Sequence, residues 1–298
     1  MSLSREEKSI SIGICSYHGE KLVARCVKSI FKSSYVGGFN IELIVVADGG
    51  LTRDLNLPIT STKACSKVKV DTLDEQRGNV HCYNRIIDNA SNDTVILLDN
   101  DVIVPDRWLW SMIYFLKSNK CGVASFKSTR VTNDEMNKLM EKEVIENVGS
   151  TRVPDRATEL AGQCFGFKKS VIGNTRFDDS NFKYFLGDSD FCCQLAQKGL
   201  PSYRILFPEV YHIEHYTYDR FPELKADRQA TTDVANFQEK WGSPAYVIEE
   251  KLLAKIPAQQ ITWLTTYGFK YSIDAEKTNM MSPGRTIIKN YQEKEKTK

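Results

Sequence analysis

Three short apolar runs, each cut off by polar or acidic residues, constrain this chain more than any other feature. Ser9-Ile10-Ser11-Ile12-Gly13-Ile14-Cys15 stops at Ser16-Tyr17, Ile41 to Ala47 stops at Asp48-Gly49-Gly50, and Val95-Ile96-Leu97-Leu98 stops at Asp99-Asn100-Asp101. Short apolar runs bounded by turn residues read as strands buried on both faces, the pattern of a parallel sheet. Between them, Leu22, Val23, Cys26, Val27, Ile30 and Phe31 recur at helical spacing, as do Val80, Tyr83, Asn84, Ile86, Ile87 and Ala90 after a weaker strand at Lys67 to Leu73. Strands alternating with helices predict an α/β fold with a doubly wound, mostly parallel sheet flanked by helices. Ligands of such sheets bind beyond the carboxyl ends of the strands. Ser16-Tyr17, Asp48 and Asp99 to Asp101 are therefore expected to meet in one crevice.

Further along, the pattern predicts a helix over Trp108 to Leu116, a strand over Gly122 to Phe126 and a charged helical stretch over Asn133 to Asn147. A strand over Gly162 to Phe167, a helix over Asp188 to Lys198 closed by Gly199, and a strand over Tyr203 to Phe207 follow, leading to His212 and His215. Residues 1–218 are expected to form one catalytic domain. Residues 219–298 are expected to form a mainly helical C-terminal extension packed on it, with about the last 15 residues flexible.

Composition excludes several classes. With 41% hydrophobic and 26% charged residues, the chain is globular rather than disordered. Forty basic and 38 acidic residues leave a net charge of +2, too little to steer it to nucleic acid or an anionic membrane. No stretch approaches the ~20 apolar residues of a membrane span. The eight cysteines, at 15, 26, 65, 82, 121, 164, 192 and 193, include no Cys-x-x-Cys pair. They read as buried thiols of a cytoplasmic protein rather than as a zinc site.

Acidic side chains directly after a buried strand are costly unless a cation or several donors satisfy them. Carboxylates suit Mg²⁺ or Mn²⁺, which share oxygen ligands between protein and substrate phosphates. The same residues also fit a turn in which Asp and Asn cap the next helix. Asp188 fits two roles, an N-cap that satisfies free backbone N–H groups or a carboxylate that takes a proton from a hydroxyl. In His212-Ile213-Glu214-His215, strand alternation sends the two rings to opposite faces, so one of them is expected in the crevice.

Taken together, these segments resemble the inverting family 2 glycosyltransferases of the GT-A fold. The resemblance runs from about residue 8 to residue 217. It rests on the strand ending at Ser16-Tyr17, Val45-Val46-Ala47-Asp48-Gly49-Gly50, Arg77-Gly78-Asn79 to Asn84-Arg85, Leu97-Leu98-Asp99-Asn100-Asp101 with Pro105, Gly187-Asp188-Ser189-Asp190-Phe191, and Val210-Tyr211-His212. It implies a nucleoside-diphosphate sugar as donor, most readily a UDP-sugar, with Mn²⁺ or Mg²⁺, and a saccharide or other hydroxyl compound as acceptor.

Ser16, Tyr17 and Asp48 would surround the nucleoside, Arg77 or Asn84 would lie near the base or phosphates, and Asp99 would bind the ribose or a sugar hydroxyl. Asp101 would ligate the metal, with His212, or else His215, as a further ligand. Asp188 would be the catalytic base. Asn100 belongs to the donor-binding cluster without a role of its own. The chain departs from the family in having Ala47-Asp48 and Gly187-Asp188 where members often carry two acids; the first leaves the base-reading acid in place, and the second bears on the acceptor.

Two rival readings differ in testable residues. A sugar-1-phosphate nucleotidyltransferase needs a Gly-rich phosphate loop with a basic residue after the first strand, where this chain has Cys15-Ser16-Tyr17-His18-Gly19. A non-catalytic nucleotide-sugar or carbohydrate-binding module needs no base, and Asp188 argues against it.

Overall fold

The computed structural model describes residues 3–33, 36–49, 55, 57–58, 64–146, 154–156, 160, 162–213, 220–243, 248, 251–252, 254–257, 260–264 and 270–274. Gly50, His215 and the last residues of the tail lie outside them.

The chain begins β1 (Ser9–Ser16), α1 (Glu20–Lys32), β2 (Asn40–Ala47), β3 (Cys65–Thr72), α2 (Asn79–Asn89), β4 (Thr94–Asp99), β5 (Val102–Ile103) and α3 (Trp108–Ser118). It continues β6 (Val123–Arg130), α4 (Asn133–Glu141), β7 (Asp155–Arg156), β8 (Cys164–Lys168), α5 (Lys169–Ile172), α6 (Gly187–Gln197) and β9 (Ser202–His212). The nine strands form one sheet in the order β3-β2-β1-β4-β8-β6-β9-β5, with β7 also on β9. β1 pairs in parallel with both β2 and β4, β2 with β3, and β6 with β9. β8 runs antiparallel to β4 and β6, and β5 and β7 run antiparallel to β9. The doubly wound, mostly parallel α/β sheet read from the sequence is thus the fold, with the topological switch between β1 and β4.

The apolar runs become central strands because both faces are covered. On β2, Ile41, Leu43 and Val45 enter one core with Val23, Val27 and Ile30 of α1 and Met112 of α3. Ile44 and Val46 enter the opposite core with Val80, Ile86 and Ile87 of α2 and Phe191 of α6. A Cβ at Gly13 would stand 2.0 Å from Ile86 Cγ2, so α2 lies on β1 where that strand carries no side chain. β3, at the sheet edge, alternates exposed and half-buried residues, which explains its weaker apolar pattern.

The middle of the chain is more regular than its sequence suggests. The strand expected over Tyr203 to Phe207 continues to His212, because its second half pairs with the end of β6 and with β5. The helix expected over Asn133 to Asn147 stops at Glu141; at its start, Glu135 N–H donates to Thr132 Oγ1 and Thr132 N–H to Glu135 Oε2. The extension holds helices α7 (Pro222–Ala230) and α8 (Asp233–Trp241). It adds an antiparallel pair, β10 (Gln260–Leu264) and β11 (Lys270–Asp274), which its Lys- and Glu-rich composition does not announce. All eight cysteines are free thiols, six of them buried. Among the described residues no helix is long and apolar enough to cross a membrane.

One buried carboxylate ties the first strands together. Glu42 on β2, 2% exposed, accepts from Ser11 Oγ at 2.6 Å, Ser91 N at 2.7 Å and Ser91 Oγ at 2.9 Å, and pairs with Lys69 Nζ at 2.7 Å. Burial alone would raise its pKa, but the donors from Lys69, Ser11 and Ser91 outweigh burial and hold it at about 2. A depressed carboxylate stabilises the fold above its unfolded pKa, and that contribution is lost as pH falls toward the folded value. Wild type is therefore expected to exceed Glu42→Gln by on the order of 3 kcal/mol in urea unfolding at pH 7. The gap should shrink progressively between about pH 4.5 and pH 2; a gap independent of pH would show that Glu42 is not the titrating group.

Candidate active site

The carboxyl ends of β1, β2 and β4 open on a crevice of about 450 Å³ whose lining includes Cys15, Tyr17, Asp48, Asp99, Asn100, Asp101, Asp188 and His212. Register brings these together. Cys15 lies beside Asp99 and Ser16 beside Ala47 in neighbouring strands, and Asp48 N–H donates to Ser16 O at 2.9 Å. The short β5 then pairs Val102 with His212, and Ile213 N–H donates to Asp101 O at 3.2 Å. That pairing carries His212, distant in sequence, to the side of Asp101.

Asp99, Asp101 and His212 each offer a ligand atom, and these atoms all lie within 4.8 Å of one another. His212 Nε2 is 3.3 Å from Asp101 Oδ1. That oxygen is buried, and among the described residues it accepts no hydrogen bond. Burial and the adjacent Asp101 charge push the Asp99 carboxyl up to about 7, with Asp188 adding to the rise, while His212 and the Tyr83 hydroxyl oppose it. Two crowded carboxylates, one of them short of a donor, suit a divalent cation that prefers oxygen ligands, as Mn²⁺ and Mg²⁺ do, with the imidazole as one further ligand. Tyr83 OH donates to Asp99 Oδ1 at 2.8 Å and sets that carboxylate's orientation from α2. Burial and the Asp99 charge push the tyrosine's own pKa well up, so it stays a donor.

Asn100 gains a contact the sequence did not suggest: its Nδ2 donates to Ser16 Oγ at 2.9 Å, joining the end of β4 to the end of β1. Asp48 is held by the loop before α2, accepting from Arg77 N at 2.6 Å and Gly78 N at 2.9 Å. Burial raises its pKa and these backbone donors work against that rise. Gly78 has φ +90° there, and a Cβ would meet Lys183 O at 2.3 Å, so glycine is required.

Two expected donor-binding side chains stand elsewhere. The Arg77 guanidinium is half exposed and pairs with Glu75 at 2.9 Å, while the backbone N–H of Arg77 donates to Asp48. Asn84 spends its amide on the backbone of Phe177, donating to its O at 2.8 Å and accepting from its N at 3.0 Å. His215 lies outside the described residues, whereas His212 is in the crevice.

Asp188 is the second residue of α6, not its N-cap. Leu186 holds the cap position, with φ +58° and no side-chain cap bond. Asp188 Oδ2 accepts from Gly162 N at 3.1 Å and Oδ1 from Ser189 N at 2.9 Å, which fixes the carboxylate in the lining of the crevice. Periodicity could not single out Tyr83, which reads as one more apolar helix position, or Arg130, Gln163, Tyr184, Leu224 and Arg228, which also line the crevice. The last two come from α7, so the extension closes one side of the site.

The sequence profile of glycosyl transferase family 2 matches residues 11–175, more than half of the chain. No curated protein sequence is recognisably similar to this chain. Among solved structures, residues 1–349 of S. aureus TarS in complex with UDP align with a TM-score of 0.55 and 13% identity, over 83% of this chain and 70% of that one. A second S. aureus TarS structure aligns with a TM-score of 0.53 and 13% identity over 78% of this chain, which spans only 42% of that one. The Pyrobaculum calidifontis mannosyltransferase PcManGT, solved with GDP-Man and Mn²⁺, aligns with a TM-score of 0.54 and 17% identity, over 82% of this chain and 69% of that one. These likenesses are of fold, the GT-A fold expected from the sequence, and the profile match decides the family: the chain belongs to glycosyl transferase family 2.

Proposed function

We propose that the chain is a metal-dependent, inverting glycosyltransferase. It moves a hexose-type sugar from a nucleoside-diphosphate sugar, most readily a UDP-sugar, to the hydroxyl of a saccharide or other acceptor. Residues 1–218 form the catalytic domain and 219–298 the extension on it. The observation that carries this reading is the meeting of Asp99, Asp101 and His212 with Asp188 in one crevice at the switch point of the sheet. The UDP in TarS and the GDP-Man and Mn²⁺ in PcManGT support a nucleotide-sugar donor with a divalent cation. Eight free thiols support a cytoplasmic location.

Asp101 and His212 hold the cation, and Asp99, oriented by Tyr83, completes the cluster or meets a donor hydroxyl. A bound Mn²⁺ or Mg²⁺ supplies positive charge where negative charge grows on the departing diphosphate. Tyr17 and Asp48 border the nucleoside, with Ser16 fixed behind them through Asn100. Asp188 takes the proton from the acceptor hydroxyl as the oxygen bonds to the anomeric carbon and the bond to the diphosphate breaks on the opposite face. One displacement of this kind inverts the configuration.

Asp188→Asn is expected to keep UDP and Mn²⁺ affinity in calorimetry while transfer falls by roughly 10²-fold or more; near-normal turnover would remove Asp188 from the role of base. Asp101→Ala should abolish the Mn²⁺-dependent part of UDP binding, and metal-independent binding at wild-type strength would sink the assignment of the cluster. Tyr83→Phe, which removes only the hydroxyl that orients Asp99, should weaken Mn²⁺ binding by about 10-fold or more. An unchanged affinity would show that Asp99 does not touch the metal.

A further inference from the structure

We infer that Asp233, in the C-terminal extension, is a positioning residue for the transfer step, an inference that rests on Asp188 being the base. Asp233 is the first residue of α8 and 2% exposed. Its Oδ1 accepts from Lys183 N at 3.1 Å, and its Oδ2 accepts from Tyr184 N at 2.8 Å and Phe185 N at 2.7 Å. Three consecutive backbone N–H groups of an irregular segment thus converge on one carboxylate from a different part of the chain, a concave arrangement suited to an anion.

That segment leads straight into the base. Leu186 follows it in the left-handed region, with φ +58°, and Gly187 and Asp188 open α6. A non-glycine residue keeps such a conformation where its surroundings over-determine it. Asp233 supplies that determination from one side. From the other, Val80 N–H donates to Lys183 O at 3.4 Å, beside the Gly78 that Asp48 holds. The side chains repeat the pattern, since Lys183 Nζ pairs with Asp227 of α7 at 2.7 Å and Tyr184 OH donates to the same carboxylate.

The far end of α8 is fastened to the same catalytic helix. Asp190 of α6, fully buried, accepts from Trp241 Nε1 at 2.9 Å and pairs with Lys240 Nζ at 2.7 Å. The helix bearing Asp188 is therefore held by α8 at its entrance and along its first turns. Misplacement of a reacting group by about 1 Å can cost 10²-fold in rate without loss of binding. A residue that only cements the extension would instead lower stability and donor affinity together.

Asp233→Asn places an N–H group against backbone N–H donors, and Asp233→Ser keeps one short acceptor. Both are to be made in the full chain, with UDP and Mn²⁺ as the binding probe and UDP-glucose hydrolysis as the turnover. In Asp233→Asn, amides 183–187 should exchange with deuterium about 10-fold faster or more while those of 94–99 are unchanged. kcat should fall by about 10-fold or more with UDP affinity within about threefold of wild type, and Asp233→Ser should fall between. Unchanged exchange and kcat, equal losses of kcat and UDP affinity, or failure of both variants to fold would each overturn the proposal. Absence of turnover in the wild type would count against the transferase reading with this donor, and the exchange of 183–187 would then decide the clamp by itself.

Discussion

Two carboxylates at the end of a buried strand repel each other, and the fold around them holds them together despite that repulsion. Asp99 and Asp101 sit where water is largely excluded, so each charge costs far more than it would on the surface. The surroundings answer only in part: the Tyr83 hydroxyl donates to Asp99, and the His212 ring stands beside Asp101. Neither neutralises the pair, and the Asp99 carboxyl stays near 7 for that reason. A site compensated more fully by its own side chains would hold a metal less tightly. The two-residue β5 has its place for the same reason, because its pairing with β9 brings an imidazole rather than a further acid to the cluster.

The architecture was legible because burial on both faces leaves a plain mark on a parallel strand. Val95 to Leu98 is apolar at every position because α2 and α6 cover one side and α1 and α3 the other. The acids that end those strands were legible as well, since an ionisable group after such a run needs an explanation. Less of the crevice wall was readable. Tyr83 occupies an apolar slot of its helix and differs from a core aromatic only at its hydroxyl, and Leu224 and Arg228 belong to a helix without any distinguishing pattern. Arg77 and Asn84 illustrate the reverse case. Both stand in segments that do build the site, but through backbone N–H groups and loop packing, and a sequence names side chains without saying which way they turn.

The extension takes part in the site, as its composition alone would not suggest. Phe221 stacks on His18 and meets Tyr17 edge to face, so the segment entering α7 leans on the β1–α1 loop. Asp227, farther along α7, reaches the loop before α6. One helix therefore touches both rims of the crevice, while the sheet supplies the floor. Acids lie on the floor of the crevice, and aromatic and basic groups lie along its rim.

Gly13 gives this arrangement an unexpected dependency. The hydrogen atom it has in place of a side chain lets Ile86 rest on β1, and Tyr83, one helical turn nearer the crevice, inherits its reach to Asp99 from that contact. The spacing between a strand and a helix in the interior thus works as a gauge for a hydroxyl at the site. Side-chain size at residue 13 and the placement of the Tyr83 hydroxyl on Asp99 are thereby linked through a single helix.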